Sequence, residues 1–469
     1  MKPHLMQWSH MSPDFLFPVH DADWSITTLG EAAALGGGNV QTGPFGSQLH
    51  AADYVEDGIP SVMPQNIGEN TLSEDGIARI TAEDALRLTK YLLQTGDIVY
   101  SRRGDVERRA LIREKANGWL CGTGCLRVRF GPGSVDPEYA TYYLGHSKVR
   151  EWIGNNAVGA TMPNLNTKIL SSVPFVLPPL PEQVRIASIL SALDDKIELN
   201  RRTNETLEVM AQAIFQDWFV DFGPVHRKMR GETDPTAILG GLITSPSEAA
   251  TLAALFPDTL GAKGLPEGWS EEPIGDVCDT VGGATPPTKT AEYWEDGKHF
   301  WATPKDLSNL SGLYVRTTER TITDEGLARI SSGLSPRGSV LMSSRAPIGY
   351  VAIASVPAAV NQGFIVLRPT ERLPTEYAYF WTKANMDLIE SNANGSTFQE
   401  ISKKNFRPLP VIIPDAEIML AFVNLTKPML GRIEQGEIEN QTLAETRDYL
   451  LPRLMSGQIR AGEPQGMSA

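Results

Sequence analysis

Apolar positions along this chain recur in two rhythms. From Ile186 they form a ladder of Ile186, Leu190, Leu193 and Ile197, then polar Asn200 and Asn204, then Leu207, Ala211, Ile214 and Trp218. Its spacings alternate four and three, the heptad seam of a long helix that buries a narrow stripe against another helix. A weaker ladder runs Phe422, Thr426, Met429, Ile433, Gly436, Asn440, Leu443, Arg447, Leu450 and Leu454. Pro428 is expected to kink or restart this second helix, and Gly436 to weaken it. Asn204 and Asn440 stand on the seam, where a polar group without a partner costs stability, so each is expected to find a hydrogen bond and fix the register. Elsewhere the rhythm is that of short strands, Asp97 to Ser101, Leu126 to Phe130, Gly338 to Met342 and Phe364 to Leu367, punctuated by Gly and Pro, with helical stretches such as Tyr139 to Ile153 between them.

The two ladders belong to an internal repeat. Gly159-Ala160-Thr161 matches Gly395-Ser396-Thr397 at an offset of 236 residues (395 − 159), and the same offset carries Pro174-Phe175-Val176-Leu177-Pro178 onto Pro410-Val411-Ile412-Ile413-Pro414 and Asn204-Glu205-Thr206-Leu207 onto Asn440-Gln441-Thr442-Leu443. Upstream the match continues with small gaps, as expected where loops differ over a shared framework. Glu138-Tyr139-Ala140 pairs with Glu376-Tyr377-Ala378, Gly96 to Val99 followed by Arg103 with Gly338 to Leu341 followed by Arg345, Pro64 to Ile67 with Pro304 to Leu307, and Trp24 with Trp269. A spacing this large marks a duplicated domain and not a solenoid. The expected fold class is α+β, with two repeated domains of mixed helix and strand, at 1–180 and 267–414, joined by two long antiparallel coiled-coil helices at 181–222 and 415–462. A linker with a short helix fills 223–266, and 463–469 is a flexible tail. A helix of about 40 residues is roughly 60 Å long, so the pair is expected to act as a spacer.

Composition narrows the function. A hydrophobic content of 41% over 469 residues gives ample core for two to four domains. No run of about 18 apolar residues occurs, and Asp14 with three histidines occupies the first twenty residues where a signal peptide would be apolar; no membrane and a cytoplasmic address are expected. Cys121, Cys125 and Cys278 cannot build a disulfide framework, and the CxxxC spacing has no second ligand pair for zinc, so they are read as buried small apolar residues and no metal is expected. No GxxxxGK[ST] loop, Asn/Asp-Pro-Pro-aromatic tetrapeptide or HExxH is present, and no catalytic residue is assigned. The net charge of −14 argues against a protein that coats DNA by bulk electrostatics. One stretch runs against it: Gly96 to Phe130 holds eight basic residues (Arg102, Arg103, Arg108, Arg109, Arg113, Lys115, Arg127, Arg129) against four acidic ones.

The run Leu177-Pro178-Pro179-Leu180-Pro181-Glu182-Gln183, followed by Ile186-Ala187-Ser188-Ile189-Leu190 and Asp194-Asp195-Lys196-Ile197-Glu198-Leu199-Asn200-Arg201-Arg202, closely resembles the central region of type I restriction-modification specificity subunits. Gly43-Pro44-Phe45-Gly46-Ser47, Leu265-Pro266-Glu267-Gly268-Trp269, Ala346-Pro347-Ile348-Gly349 and Leu450-Leu451-Pro452-Arg453-Leu454-Met455-Ser456-Gly457 are similar to further landmarks of that family, whereas Glu107-Arg108 stands where it has a glycine. The resemblance implies that each globular domain is a target recognition domain reading one half of a bipartite double-stranded DNA site, and that the helices separate the two. It further implies two modification (methyltransferase) subunits docked on the helical regions and restriction (motor-nuclease) subunits joining them. Those partners would carry S-adenosylmethionine, ATP and Mg, with no cofactor in this chain.

Sequence readout needs phosphate contacts and side chains that meet base edges. The first candidates, placed after a strand end, are Arg102 and Arg103 in one copy and Ser344 and Arg345 in the other, with Arg108 and Arg109 following. Further candidates are Gln65 and Asn66 after one paired proline and Lys305 after the other, Asn361 and Gln362, Asn164 and Lys168, and Lys403 and Lys404. Trp218 and Phe219 are candidates for the partner surface or for the core of the helix pair. The rival reading is a duplicated scaffold that binds proteins and no DNA.

Overall fold

A computed structural model describes residue 19 and residues 24–159, 162–261, 263–395 and 399–462. The expected tail at 463–469 and the repeat's Ala160, Thr161, Ser396 and Thr397 lie outside the described residues. The chain divides into two compact units, one of Met1–Ile197 with Thr442–Ala469 and one of Glu198–Gln441. Each unit thus takes a part of both long helices, Leu180–Phe215 and Ala416–Met455.

In the first unit an antiparallel sheet runs in the order Asn39–Thr42, Cys125–Arg129, Ile98–Ser101, Arg109–Leu111. A second sheet orders Tyr54–Val55, Ala78–Ile80, Ile59–Val62 and Leu120–Cys121, and Ser25–Thr28 pairs with Pro174–Leu177. The second unit repeats this plan. Asp279–Val281, Phe364–Arg368, Val340–Ser344 and Ile348–Ala354 form the main sheet with Tyr314–Val315 added at its edge. Arg320–Ile322, His299–Ala302 and Ala358–Val360 form the smaller one, and Ser270–Pro273 pairs with Pro410–Ile413. The central strands are buried on every residue, as Ile98–Ser101 and Val340–Ser344 show, which is why they read as continuous apolar runs and not as alternating ones.

The helical stretch expected from Tyr139 to Ile153 is two helices, Pro137–Gly145 and Ser147–Asn156. His146 between them adopts an extended backbone, and its ring accepts the Lys148 amide, so the second helix begins on its own cap. The region 223–266 also differs from the single short helix expected. It holds Gly223–Met229, Pro235–Ile238 and Pro246–Leu255, each with a proline in its first turn, and buries Val225, Ile238, Leu239, Ala249 and Phe256 in the core of the second unit. Helices of four to ten residues are too short to show a period in the sequence.

Within each unit the two long helices run antiparallel. In the first, Arg447 pairs with Asp194 at 2.8 Å while the Ala461 amide donates to Glu182 at 3.2 Å, and Leu454 and Met455 join Ile186 and Leu190 in the core. In the second, Asn200 donates to Asn440 at 2.9 Å and Asn204 to the carbonyl of Ile433 at 3.3 Å. Both expected polar seam residues therefore have partners. The remaining seam residues, Leu193, Ile197, Leu207, Ile214, Met429, Ile433, Leu443, Leu450 and Leu454, are buried or half-buried. Pro428 does not restart the distal helix, which is one element from Ala416 to Met455. It is exposed, as is Asn424, the residue whose carbonyl a proline at this place leaves without its helical donor. Trp218 and Phe219 are core residues and not a partner surface, 0% and 3% exposed, with Trp218 edge-on to Phe256 at 4.9 Å and Phe219 edge-on to Phe422 at 5.1 Å.

The cysteines are buried, and desolvation pushes the Cys121 and Cys278 thiols up to about 12. No helix among the described residues is long and apolar enough to cross a membrane, and no His, Cys, Asp and Glu group among them could hold a metal.

Gly436 is buried, and a Cβ there would stand 2.7 Å from the Asn204 side-chain oxygen. Its lack of a side chain is what lets Asn204 reach the Ile433 carbonyl. Gly436→Ala, which by helix propensity alone would add about 1 kcal/mol, is expected to lower the midpoint of urea unfolding. In an Asn204→Ala background the same change is expected to raise it. Equal shifts in the two backgrounds would remove the close approach as the reason for the glycine.

Candidate nucleic-acid interface

The basic run from Gly96 to Phe130 separates, in the fold, into framework and surface. Arg129 grips Asp97 through two bonds of 2.7 and 2.6 Å, and Arg127 donates to Asn39, Gln41 and the Lys90 carbonyl. Arg113 pairs with Glu138, Lys115 with Glu74 and Arg108 with Asp105. Arg109 is a correction to the expected site. It is 5% exposed, its Nε donates to the Thr141 carbonyl at 3.1 Å, and burial depresses its pKa. Gly145 makes the room, since a Cβ there would fall 1.8 Å from an Arg109 nitrogen. Only Arg102 and Arg103 of the eight have neither a carboxylate nor a side-chain or carbonyl acceptor among the described residues. Arg103 is exposed; Arg102 is half-buried, with its Nε shielded from solvent and unpartnered.

Four segments meet around these arginines. The Arg102 amide donates to Gly124 and its carbonyl accepts from Leu165, both at 2.8 Å. Arg103 bridges to Asn164, which closes a small hairpin with Val158 through bonds of 2.9 and 3.0 Å. The Gly124 turn lies against Pro64, whose ring would be 3.4 Å from a Cβ on Gly124. Asn166 caps the short helix Thr167–Ser171 by accepting from Ile169, and this helix carries exposed Lys168.

The second unit builds the same junction at matched positions. Ser344 donates its amide to Gly363 at 2.8 Å and accepts from Ile401 at 3.0 Å, Arg345 bridges to Glu400, and Glu400 closes a hairpin with Asn394. A Cβ on Gly363 would stand 3.0 Å from the Pro304 ring, and Ser402 caps the helix Lys403–Phe406 that carries exposed Lys403 and Lys404. The loops thus converge in each unit although the candidates were spread over about a hundred residues of sequence.

The junction does not expose every expected residue. Asn66 is 1% exposed, accepting from the Met63 amide and donating to the Asp75 carbonyl, so it shapes the turn and leaves exposed Gln65 at the surface. Ser344 is 2% exposed and acts through its backbone. Asn361 accepts from the Gly363 amide at 2.8 Å, and exposed Gln362 accepts from Thr285 at 2.6 Å. Lys305 pairs with Glu319 at 2.7 Å, and Arg345 lies 3.6 Å from Glu400. Sequence reasoning missed the Gly124 turn and Glu400. The constant offset of 236 (400 − 164) already aligned Glu400 with Asn164.

The type I restriction modification DNA specificity domain matches residues 56–209 and again 266–435. The chain is 28% identical over 407 residues to the type I restriction enzyme HindI specificity subunit of Haemophilus influenzae, covering 79% of this chain and 88% of that one. Over 181 residues it is 35% identical to the MjaIX specificity subunit of Methanocaldococcus jannaschii, covering 38% of this chain and 42% of that one. The fold is that of the type I restriction-modification S subunit from M. genitalium, with a TM-score of 0.56, 16% identity, and 93% and 96% of the two chains covered. A twice-matched specificity domain on a twice-built junction leaves one conclusion: the chain belongs to the type I restriction-modification DNA-specificity subunit family.

Proposed function

We propose that the chain is the non-catalytic subunit that gives a type I restriction-modification complex its DNA sequence, each unit reading one half of a bipartite double-stranded site. The observation that carries this reading is the sorting of cations. The arginines of the framework are committed to acceptors within the fold, while Arg102, Arg103, Lys168, Lys403 and Lys404 surround matched loop junctions and have no carboxylate partner among the described residues. Cations left in this state can displace the counterions condensed on DNA phosphates, and an arginine fork can take the two acceptors of a guanine edge.

The two junctions carry different side chains, Arg102 against Ser344 and Asn164 against Glu400, so the half-sites differ and the target is asymmetric. The helix pair sets the gap between them. The net charge of −14 fits a subunit that leaves much of the phosphate binding to its partners. Those partners are two modification subunits docked on the helical regions, together with restriction subunits. Methyl transfer from S-adenosylmethionine and ATP- and Mg-dependent cleavage belong to them, and this chain carries no cofactor.

Arg103→Ala is expected to weaken binding of the cognate duplex by the purified complex about 10-fold while leaving subunit assembly unchanged; Arg109→Ala is expected instead to lower the melting temperature. Equal DNA affinity before and after Arg103→Ala would take that residue out of the interface.

Inserting one heptad into each long helix is expected to lengthen the gap between methylated half-sites without changing the bases read. Methylome sequencing of cells carrying the lengthened chain checks this, and new bases at the old gap would sink the spacer role.

A further inference from the structure

The second unit has a feature with no counterpart among the described residues of the first. Its segment Thr285-Pro286-Pro287-Thr288-Lys289 is unmatched in the repeat, and two indoles hold it: Trp301 donates to the Ala284 carbonyl and Trp294 to the Pro287 carbonyl, both at 3.1 Å. The indoles meet edge to face at 4.9 Å, and the Arg320 guanidinium lies 3.4 Å over the Trp294 ring. In the strand register Arg320 faces Trp301 as Ala78 faces Ser61 in the first unit, so both the arginine and the indole opposite it are particular to one domain.

This pair adjoins the junction already described. Thr285, at the start of the inserted segment, donates to Gln362 at 2.6 Å. Glu319, next to Arg320, receives Lys305 at 2.7 Å and donates its amide to Asp306, which fixes it to the Pro304 turn. Arg320 itself is half-buried and has no carboxylate partner among the described residues. Stacking fixes the plane of a guanidinium but leaves its in-plane N–H fork able to donate, and little freedom remains to be lost when it meets two acceptors.

We infer that Arg320, clamped on Trp294, is a specificity-determining residue of the second domain that takes a guanine edge through its N–H fork. The inference rests on the DNA-reading function proposed above. A phosphate contact needs only a flexible cation; an arginine held in one plane suits the paired O6 and N7 acceptors of guanine.

The test is methylome sequencing of cells expressing the full chain with its methyltransferase partner, wild type or Arg320→Ala. The expected result is a motif in which one guanine of one half-site is no longer required, its preference over other bases falling by roughly 10-fold or more, while the other half-site is unchanged. An identical motif overturns the inference. If Arg320→Ala methylates nothing, Arg320→Lys decides: a motif relaxed at that guanine supports the assignment, and an unchanged motif or loss of methylation with loss of assembly overturns it. Absence of any chain-dependent bipartite motif in the wild type would instead overturn the DNA-reading function.

Discussion

The register of two antiparallel helices is the constraint on which the other features depend. Asn200 meets Asn440, Asn204 meets the Ile433 carbonyl, and Gly436 leaves the space that the second contact needs. A slide by one turn would set amides against apolar seam residues, and an unpaired buried amide costs about 1–3 kcal/mol. Within the second unit the same register aims side chains from the helix backs into the globular part. Glu437 receives the amides of Leu313 and Tyr314 and the Arg316 guanidinium at the sheet edge, and Glu208 receives Tyr379 and Lys383. Burial raises the Glu437 pKa, and its donors oppose that shift. The recognition framework is therefore fastened to the helices by hydrogen bonds that exist in one register only.

The acidic total and the nucleic-acid role are reconciled by where charge is left over. A count of basic residues treats Arg129 and Arg103 alike, yet one is locked onto Asp97 and the other is exposed. A fold that uses arginines internally as multi-donor struts, as Arg127 and Arg129 show, can be acidic overall and still present a few uncommitted cations where loops converge.

The duplication, both long helices and the main strands were legible in the sequence, because heptad spacing and a constant offset are one-dimensional signals. The family followed from the run around Leu177 to Arg202 for the same reason. Of the candidate site, the matched strand ends and turns were legible as positions, and the fold brings them together. Side-chain fate was not. Asn66 and Ser344 look like readers in sequence and are buried parts of the loop framework, because burial is set by segments distant in the chain. The three linker helices and the break at His146 were hidden by shortness, since a few residues with a proline or a capping side chain carry no period.

The first unit closes its core with Leu454, Met455 and Ala461, and its contacts Asp194–Arg447 and Glu182–Ala461 join positions 253 and 279 residues apart. During synthesis, therefore, the unit that begins first of the two is completed last, because the whole second unit is translated before its missing helix leaves the ribosome. Loop closure over such distances is slow. Until then the face of Ile186 and Leu190 lacks Leu454 and Met455, and apolar surface left open in this way favours aggregation of a nascent chain.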